Sequence, residues 1–348
     1  MSRIVIADFN THCDRGTCLG HSFAVADNYL HLFDSAIAAG GPIYAERFTR
    51  AEILPHQTDE THGTIVNKWL ALRNLRELFR RCRNDILVMQ SSAVATAFFG
   101  MALLRPRVRK LFMIQYNRDA LNTRFKRLLY RLVSHYIDGI ICPTETVGKA
   151  YGRPYCIVPD YIYTPQQPIN RVPYEQKTYD FCMVGLICRD KGVIEAAQVL
   201  AGTPYRVLIA GRAESLDIAE ELRRICASAP NVELNLQYLS EEEYAESINA
   251  SRYCILNYSG AYSQHSSGVV FDILFRGVPV VGRACESLHF ISDTKTGILL
   301  DDIRNLRPEI LMNTDVYEGF LRQIELYQQS HRKHQERLFR FLTDEENI

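Results

Sequence analysis

Residues 253–281 read Tyr253-Cys-Ile-Leu-Asn-Tyr-Ser-Gly-Ala-Tyr-Ser-Gln264-His-Ser-Ser-Gly268-Val-Val-Phe-Asp272-Ile-Leu-Phe-Arg276-Gly-Val-Pro-Val-Val281. The first four residues form an apolar run of strand type. A polar loop, Ser259 to Ser267, follows it. Gly268 to Arg276 has the composition of a buried helix, Gly277 is a stop signal, and Val278 to Val281 is a second strand. A strand, a polar loop and a helix start leave free backbone N–H groups where a phosphate can sit. Ser266 and Ser267 are good N-cap residues, and their hydroxyls suit either a cap or a diphosphate. Gln264, His265 and Gly268 complete the candidate anion site. Asp272 lies one turn further in, and a carboxylate in an apolar helix is costly to bury without a partner.

The same alternation extends in both directions. Apolar runs occur at Ile4–Ala7, Ile86–Met89, Leu111–Ile114, Gly139–Cys142 and Tyr155–Val158 in the first half. Phe181–Val184, Arg206–Ile209 and Val232–Leu234 precede the two strands of the second half already named. Helical patterns fall between them, notably at 60–83 and 119–135, and Ser91–Leu104 reads as a buried helix. Continuous apolar strands separated by helices predict α/β architecture with parallel sheets covered on both faces. Pro159, Pro165, Pro168 and Pro173 cluster around Gln166-Gln167 and break the pattern. The expected division is an N-terminal domain over 1–160, a linker over 161–175, a C-terminal domain over 176–314 and a closing helix over 315–348.

Length and composition fit this reading. A chain of 348 residues with 47% hydrophobic content supports two ordinary globular cores. No apolar run reaches the ~20 residues that span a bilayer, and Arg3 to Asp8 is a strand rather than a signal peptide. The ten cysteines include no Cys-x-x-Cys pair, so reduced, buried thiols in the cytoplasm are expected and a zinc site is not. Net charge is zero but unevenly spread. Residues 1–160 carry 21 Lys and Arg against 14 Asp and Glu, and the remainder 19 against 26. A basic half suggests an anionic partner, or attraction between two domains.

Further candidates follow the strands. Val184-Gly185-Leu-Ile-Cys-Arg189-Asp-Lys191-Gly192 joins a strand to a helix. Gly185 lets a ligand approach the backbone there, and Lys191 and Arg189 supply cations for a diphosphate from what reads as a surface turn. Arg212, after Ala210-Gly211, stands at the next strand end. In the first half, Asn10 to His21 forms a polar loop with Gly16 and Gly20. Its Asp14 and His21 are the candidates to act on an acceptor hydroxyl. Phe125, Leu128, Leu129 and Leu132 share a helix face among Arg124, Lys126, Arg127 and Arg131, and Arg105 to Lys110 is basic too. Such a helix either packs on its sheet or lies on an anionic membrane surface. An aromatic-studded basic groove for nucleic acid is not found.

The Gly-Val-Pro-Val-Val ending, Lys191-Gly192 and Gly20-His21 resemble the group 1 (family 4-like) nucleotide-sugar glycosyltransferases of the GT-B fold. That family usually has Glu, seven residues, Glu, then a helix ending in Gly-x-Pro-Val-Val. Gln264 and Asp272 stand at the two Glu positions here, and Leu186 stands where Arg is usual. The resemblance implies two facing Rossmann-like domains, with the last helix returning to the first domain. It implies transfer of a sugar from a nucleotide-sugar donor to a saccharide or lipid-linked acceptor, without an obligatory metal. The site would hold the donor on Gly185, Arg189, Lys191, Arg212, Gln264 to Gly268 and Asp272, with Asp272 on the ribose. Such an enzyme typically builds surface polysaccharide or glycolipid at the inner face of a membrane. A non-catalytic scaffold and a nucleotide-sugar epimerase of related fold are the alternatives.

Overall fold

The apolar runs of the first half pair side by side in one parallel sheet. In the computed structural model, which describes residues 3–13, 17–59, 61–90, 94–159, 172–263 and 267–343, the elements alternate regularly. They run β1 (Ile4–Ala7), β2 (His12–Cys13), α1 (Thr17–Leu32), β3 (Ala36–Gly40), α2 (Tyr44–Arg47), β4 (Ala51–Ile53) and β5 (Thr58–Asp59). Then come α3 (Thr64–Arg81), β6 (Ile86–Met89), α4 (Val94–Leu104), β7 (Lys110–Ile114), α5 (Arg124–Val133), β8 (Gly139–Cys142), α6 (Glu145–Ala150) and β9 (Tyr155–Ile157). The seven-stranded sheet has the order β4-β3-β1-β6-β7-β8-β9, while β2 and β5 form a small ladder of their own. Residues of β1, β6, β7 and β8 are almost wholly buried, as parallel strands covered on both faces must be.

The second half repeats the plan. It contains β10 (Tyr179–Val184), α7 (Val193–Leu200), β11 (Val207–Ala210), α8 (Leu216–Cys226), β12 (Val232–Asn235), α9 (Glu241–Asn249) and β13 (Ser251–Leu256). It continues with α10 (Gly268–Phe275), β14 (Val280–Arg283), α11 (Phe290–Thr294), β15 (Gly297–Leu300), α12 (Pro308–Leu311) and α13 (Thr314–Thr343). Six parallel strands take the order β12-β11-β10-β13-β14-β15. Cys156, Cys182 and Cys254 are free and buried within strands. Among the described residues no helix is long and apolar enough to cross a membrane.

The chain separates into two compact units, Met1–Tyr163 with Arg332–Ile348, and Thr164–His331. The last part of α13 therefore belongs to the first unit. Leu338 and Leu342 are fully buried there, in the core that contains Ile4, Ala26 and Tyr29.

Three expectations need correction. Strand β3 was not expected, because Ala-Ile-Ala-Ala-Gly has no β-branched excess. Small residues suit the site, since a Cβ at Gly40 would overlap the Tyr44 ring. The helix at Ser91–Leu104 is only half buried: Phe98 and Met101 face the core, but Phe99 and Leu103 are exposed. The apolar face of α5 is in fact two faces. Leu129, Tyr130 and Val133 enter the core, whereas Phe125, Leu128 and Leu132 point outward.

Leu338→Ala should destabilise the first unit by about 2–5 kcal/mol, the cost of a cavity at a fully buried leucine. Leu326→Ala on the same helix, at an exposed position, should change stability by no more than about 0.5 kcal/mol. Chemical denaturation of both variants is the check. Equal effects would mean that the C-terminal turns of α13 do not hold that core.

Candidate functional site

The site of the second unit begins with two glycines. Strand β10 ends at Val184, and Gly185 follows at φ +93. Its N–H donates to the carbonyl of Ala210 at the end of β11. Gly211 comes next on that side at φ +141, and a Cβ there would overlap the Gly185 carbonyl. Two backbones therefore touch with no side chain between them, which leaves a bare floor at the carboxyl ends of the strands. Three side chains converge on that floor. A Cβ placed at Gly185 would lie 3.8 Å from Val269 Cγ2 and 3.9 Å from both Lys191 Nζ and Tyr244 Cε2.

Lys191 comes from a 3-10 turn, Arg189–Lys191, that Gly192 terminates at φ +62. The turn is fixed from behind: Asn257 Nδ2 donates to the Gly192 carbonyl at 3.1 Å and to Glu195 Oε2 at 3.0 Å. A Cβ at Gly192 would overlap the Asn257 carbonyl, so only glycine fits. The sequence reading placed Lys191 on a surface turn, but only 8% of it is exposed. Its ammonium lies 5.2 Å from the centre of the Tyr262 ring. Among the described residues no carboxylate pairs with it. Burial pushes its pKa below the ordinary lysine value. A buried cation without a counter-ion is a costly arrangement, and an anionic ligand would relieve it.

Helix α10 borders the same floor through Val269 in its first turn. Its first N–H groups have no intrahelical acceptors, as at any helix start. Ser267 occupies the cap position but does not cap. Its buried hydroxyl shares a 2.7 Å hydrogen bond with the Tyr258 hydroxyl instead. The cap expected of the Ser267 hydroxyl is therefore not formed, and the hydroxyl and the backbone at 267–268 remain candidate donors to an anion. Asp272 is half-buried one turn on, and its Oδ2 accepts from the Tyr244 hydroxyl at 3.3 Å. Gln264, His265 and Ser266 lie outside the described residues.

The remaining nominated residues are dispersed. Arg189 is exposed and pairs with Glu221 of α8 at 3.1 Å, so its guanidinium is already engaged. Arg212 is exposed, and its carbonyl accepts from the Ile187 N–H. In the first unit His21 lies inside α1 rather than at the end of a loop, edge-on to Tyr116 with ring centroids 5.1 Å apart. Gly20 is in the same helix with open space around it, so no tight turn requires it. Asp14 lies outside the described residues.

A polar pocket of about 570 Å³ was not foreseen in the first unit. Asn10, Gln115 and Asn117 line it from beyond β1 and β7. Asn67 and Lys68 of α3, Thr96 of α4 and Lys126 of α5 line it from the helix starts. Gln115 is 1% exposed. Its Oε1 accepts from the Tyr151 hydroxyl at 2.9 Å, while its Nε2 has no acceptor. Asn67 Oδ1 is likewise buried without a donor. Amide and hydroxyl side chains thus make up much of the pocket wall, a lining suited to a polar ligand. Nothing adjacent in the chain marks Tyr244 and Tyr262, and Gln115 is marked only as the end of an apolar strand, with no sign of the pocket it lines. Only the packing of distant elements brings them to these sites.

No protein-family model matches the chain, and no curated protein matches it in sequence. Solved structures do match. Anabaena Alr3699/HepE, solved with UDP and glucose, is 11% identical with a TM-score of 0.69, covering 99% of this chain and 100% of that one. A UDP-forming α,α-trehalose-phosphate synthase from Burkholderia vietnamiensis is 10% identical, with a TM-score of 0.66 over 99% and 98% of the two chains. AviGT4, a glycosyltransferase involved in avilamycin A biosynthesis, is 14% identical, with a TM-score of 0.62 over 98% of each. The fold is therefore the GT-B glycosyltransferase fold.

Replacing the buried ammonium by an apolar group of similar length should not weaken the empty protein. Lys191→Met should leave stability within about 1 kcal/mol of the parent or raise it. Calorimetric melting without ligand measures this. A loss above about 2 kcal/mol would assign the ammonium a structural partner instead.

Proposed function

We propose that this protein transfers a sugar from a nucleotide-sugar donor to an acceptor hydroxyl. The observation that carries the proposal is the buried Lys191 ammonium, which no carboxylate among the described residues pairs, beside the bare Gly185 turn and the start of α10. That combination suits a diphosphate, which brings the missing negative charge and accepts from free N–H groups. The fold supports the reading, because its solved likenesses are glycosyltransferases.

In this reading the diphosphate rests on the Gly185 turn, with Lys191 on one side and the 267–268 backbone on the other. Asp272 accepts from the ribose hydroxyls, and Tyr244 holds its carboxylate in position. Transfer breaks the bond between the anomeric carbon and the diphosphate oxygen, which leaves with the electron pair. The acceptor oxygen bonds to the anomeric carbon, and its proton passes to the departing diphosphate, whose oxygen carries the electron pair of the broken bond. Lys191 and the α10 N-terminus stabilise the charge that develops on the leaving group. The pocket of the first unit, lined by Asn67, Lys68, Gln115 and Asn117, is the candidate site for the acceptor. A saccharide of surface polysaccharide or glycolipid type matches that polar lining. A scaffold that binds nucleotide without turnover is the second reading, favoured by Leu186 and by Arg189 being engaged with Glu221.

Thermal-shift screening with UDP, GDP, dTDP and ADP should select one base, since a ligand at 100 times its Kd adds about 2.7 kcal/mol. With that nucleotide, Lys191→Met should lose about 1.5–3 kcal/mol of binding in calorimetry. Asp272→Asn should lower turnover strongly while its melting temperature moves little. Tight nucleotide binding with no sugar consumed from any donor would leave the scaffold reading standing. Unchanged affinity in Lys191→Met would remove that residue from the site.

Gln115→Met should raise the acceptor KM about three- to tenfold, the worth of one hydrogen bond, with the donor KM unchanged. A rise in the donor KM alone would place the acceptor elsewhere.

A further inference from the structure

Three adjacent helices of the first unit share an unusual outer face. Helix α4 lies against both α3 and α5. Leu75 of α3, Phe98 of α4 and Leu129 of α5 enter one core cluster, so the three helices cover the same side of the sheet. Their opposite sides form a single outer layer. Of the twelve large apolar side chains exposed among the described residues, eight lie on these three helices. Ile65 and Trp69 of α3 are 84% and 55% exposed, and Leu103 of α4 is 59% exposed. Phe125, Leu128 and Leu132 form a stripe along α5, at 63%, 57% and 57%. That spacing of three and four residues aligns them on one helix face.

The charge around this stripe has one sign. Residues 64–133 hold 15 Lys and Arg against 3 Asp and Glu, a net of +12. Two of the three carboxylates are already paired, Glu77 with Arg80 and Arg81, and Asp85 with Arg3. Arg105, Arg107, Arg124, Arg127 and Arg131 are exposed, and the Arg73 guanidinium lies 4.6 Å over the Trp69 ring. Exposed leucine and phenylalanine should be rare on a face meant only for water. A purely electrostatic partner would not need them, and an apolar protein partner would not need so many cations. Apolar side chains interleaved with arginines, with a tryptophan among them, match the layered chemistry of an anionic bilayer surface.

We propose that the outer face of α3, α4 and α5 docks on an anionic lipid bilayer. Phe125, Leu128 and Leu132 enter below the headgroups, and the arginines beside them meet lipid phosphates. This attachment stands independently of sugar transfer, because it uses none of the residues assigned to donor or acceptor. It has two parts with different salt dependence: attraction of the cations is screened, and burial of the apolar stripe is not.

The test uses the full chain with vesicles of phosphatidylcholine alone or mixed with phosphatidylglycerol. Flotation measures binding, and Trp69, the sole tryptophan, reports insertion through a blue shift of its emission. Binding should require phosphatidylglycerol, shift Trp69 emission and fall, but not vanish, at about 1 M salt, where the Debye length is ~3 Å. The combined variant Phe125→Ser, Leu128→Ser, Leu132→Ser should bind at least about tenfold more weakly at every salt concentration. The combined variant Arg124→Gln, Arg127→Gln, Arg131→Gln should lose about a hundredfold at low salt only, since each cation near the surface is worth about fivefold. Leu326→Ser, an exposed apolar residue elsewhere, should bind as the parent does. Absence of flotation at low salt overturns the proposal, as does equal flotation with phosphatidylcholine alone. Lipid-free dimers in sedimentation that the serine variant dissociates would also overturn it, in favour of a second copy of this chain.

Discussion

Parallel pairing of strands is the constraint on which the rest of this structure depends. A parallel neighbour cannot be reached by a tight turn, so a crossover must carry the chain back along the sheet. Both large sheets of this protein are wholly parallel. Helices that return the chain begin near the carboxyl ends of the strands, where unpaired N–H groups and irregular loops collect. In the second unit that edge holds Gly185, Lys191 and the start of α10. In the first it holds the pocket bounded by Asn10, Gln115 and the first turns of α3, α4 and α5.

The same constraint explains how Lys191 becomes buried with no carboxylate paired to it among the described residues. Strands on both sides of β10 fix the Gly185 and Gly211 turns, and Asn257 of the adjacent loop fixes Gly192. The turn that carries Lys191 is thus held by its own backbone bonds and by the Asn257 side chain, not by an ion pair of its ammonium. The cost of desolvating that ammonium is met by the stability of the surrounding sheet, and the charge remains available to a ligand. Tyr262 shields it with the face of an aromatic ring and supplies no full negative charge. A cation held this way is in place before any ligand arrives.

Helices that cover a sheet have a second consequence, on their outer side. Core packing determines only one face of α3, α4 and α5. Leu129 and Val133 satisfy that requirement on α5, so Phe125, Leu128 and Leu132 have no role in the fold. Thr123 caps this helix by accepting from the Lys126 N–H, so its start is stable without the outer stripe. Pocket-lining Lys68 and Lys126 adjoin the exposed Trp69 and Phe125 in sequence.

The sequence by itself determined the class of the fold. Period and composition were sufficient for the buried strands, since a run such as Ile86–Met89 or Phe181–Val184 has few other stable settings. It also marked Lys191, Gly192 and Asp272, because a cation at a strand-to-helix turn and a carboxylate in an apolar helix are visible one residue at a time. Only the tertiary structure decided what those residues do. It buried Lys191, turned Arg189 to Glu221, turned the Ser267 hydroxyl to Tyr258 and set Tyr244 against Asp272. Strand β3 escaped notice because its alanines are explained only by the Tyr44 ring packed over Gly40. Local pattern specifies which element a residue joins. Which neighbour satisfies its polar atoms, and which face meets solvent, depends on elements tens of residues away, and the chain fixes that only when it packs.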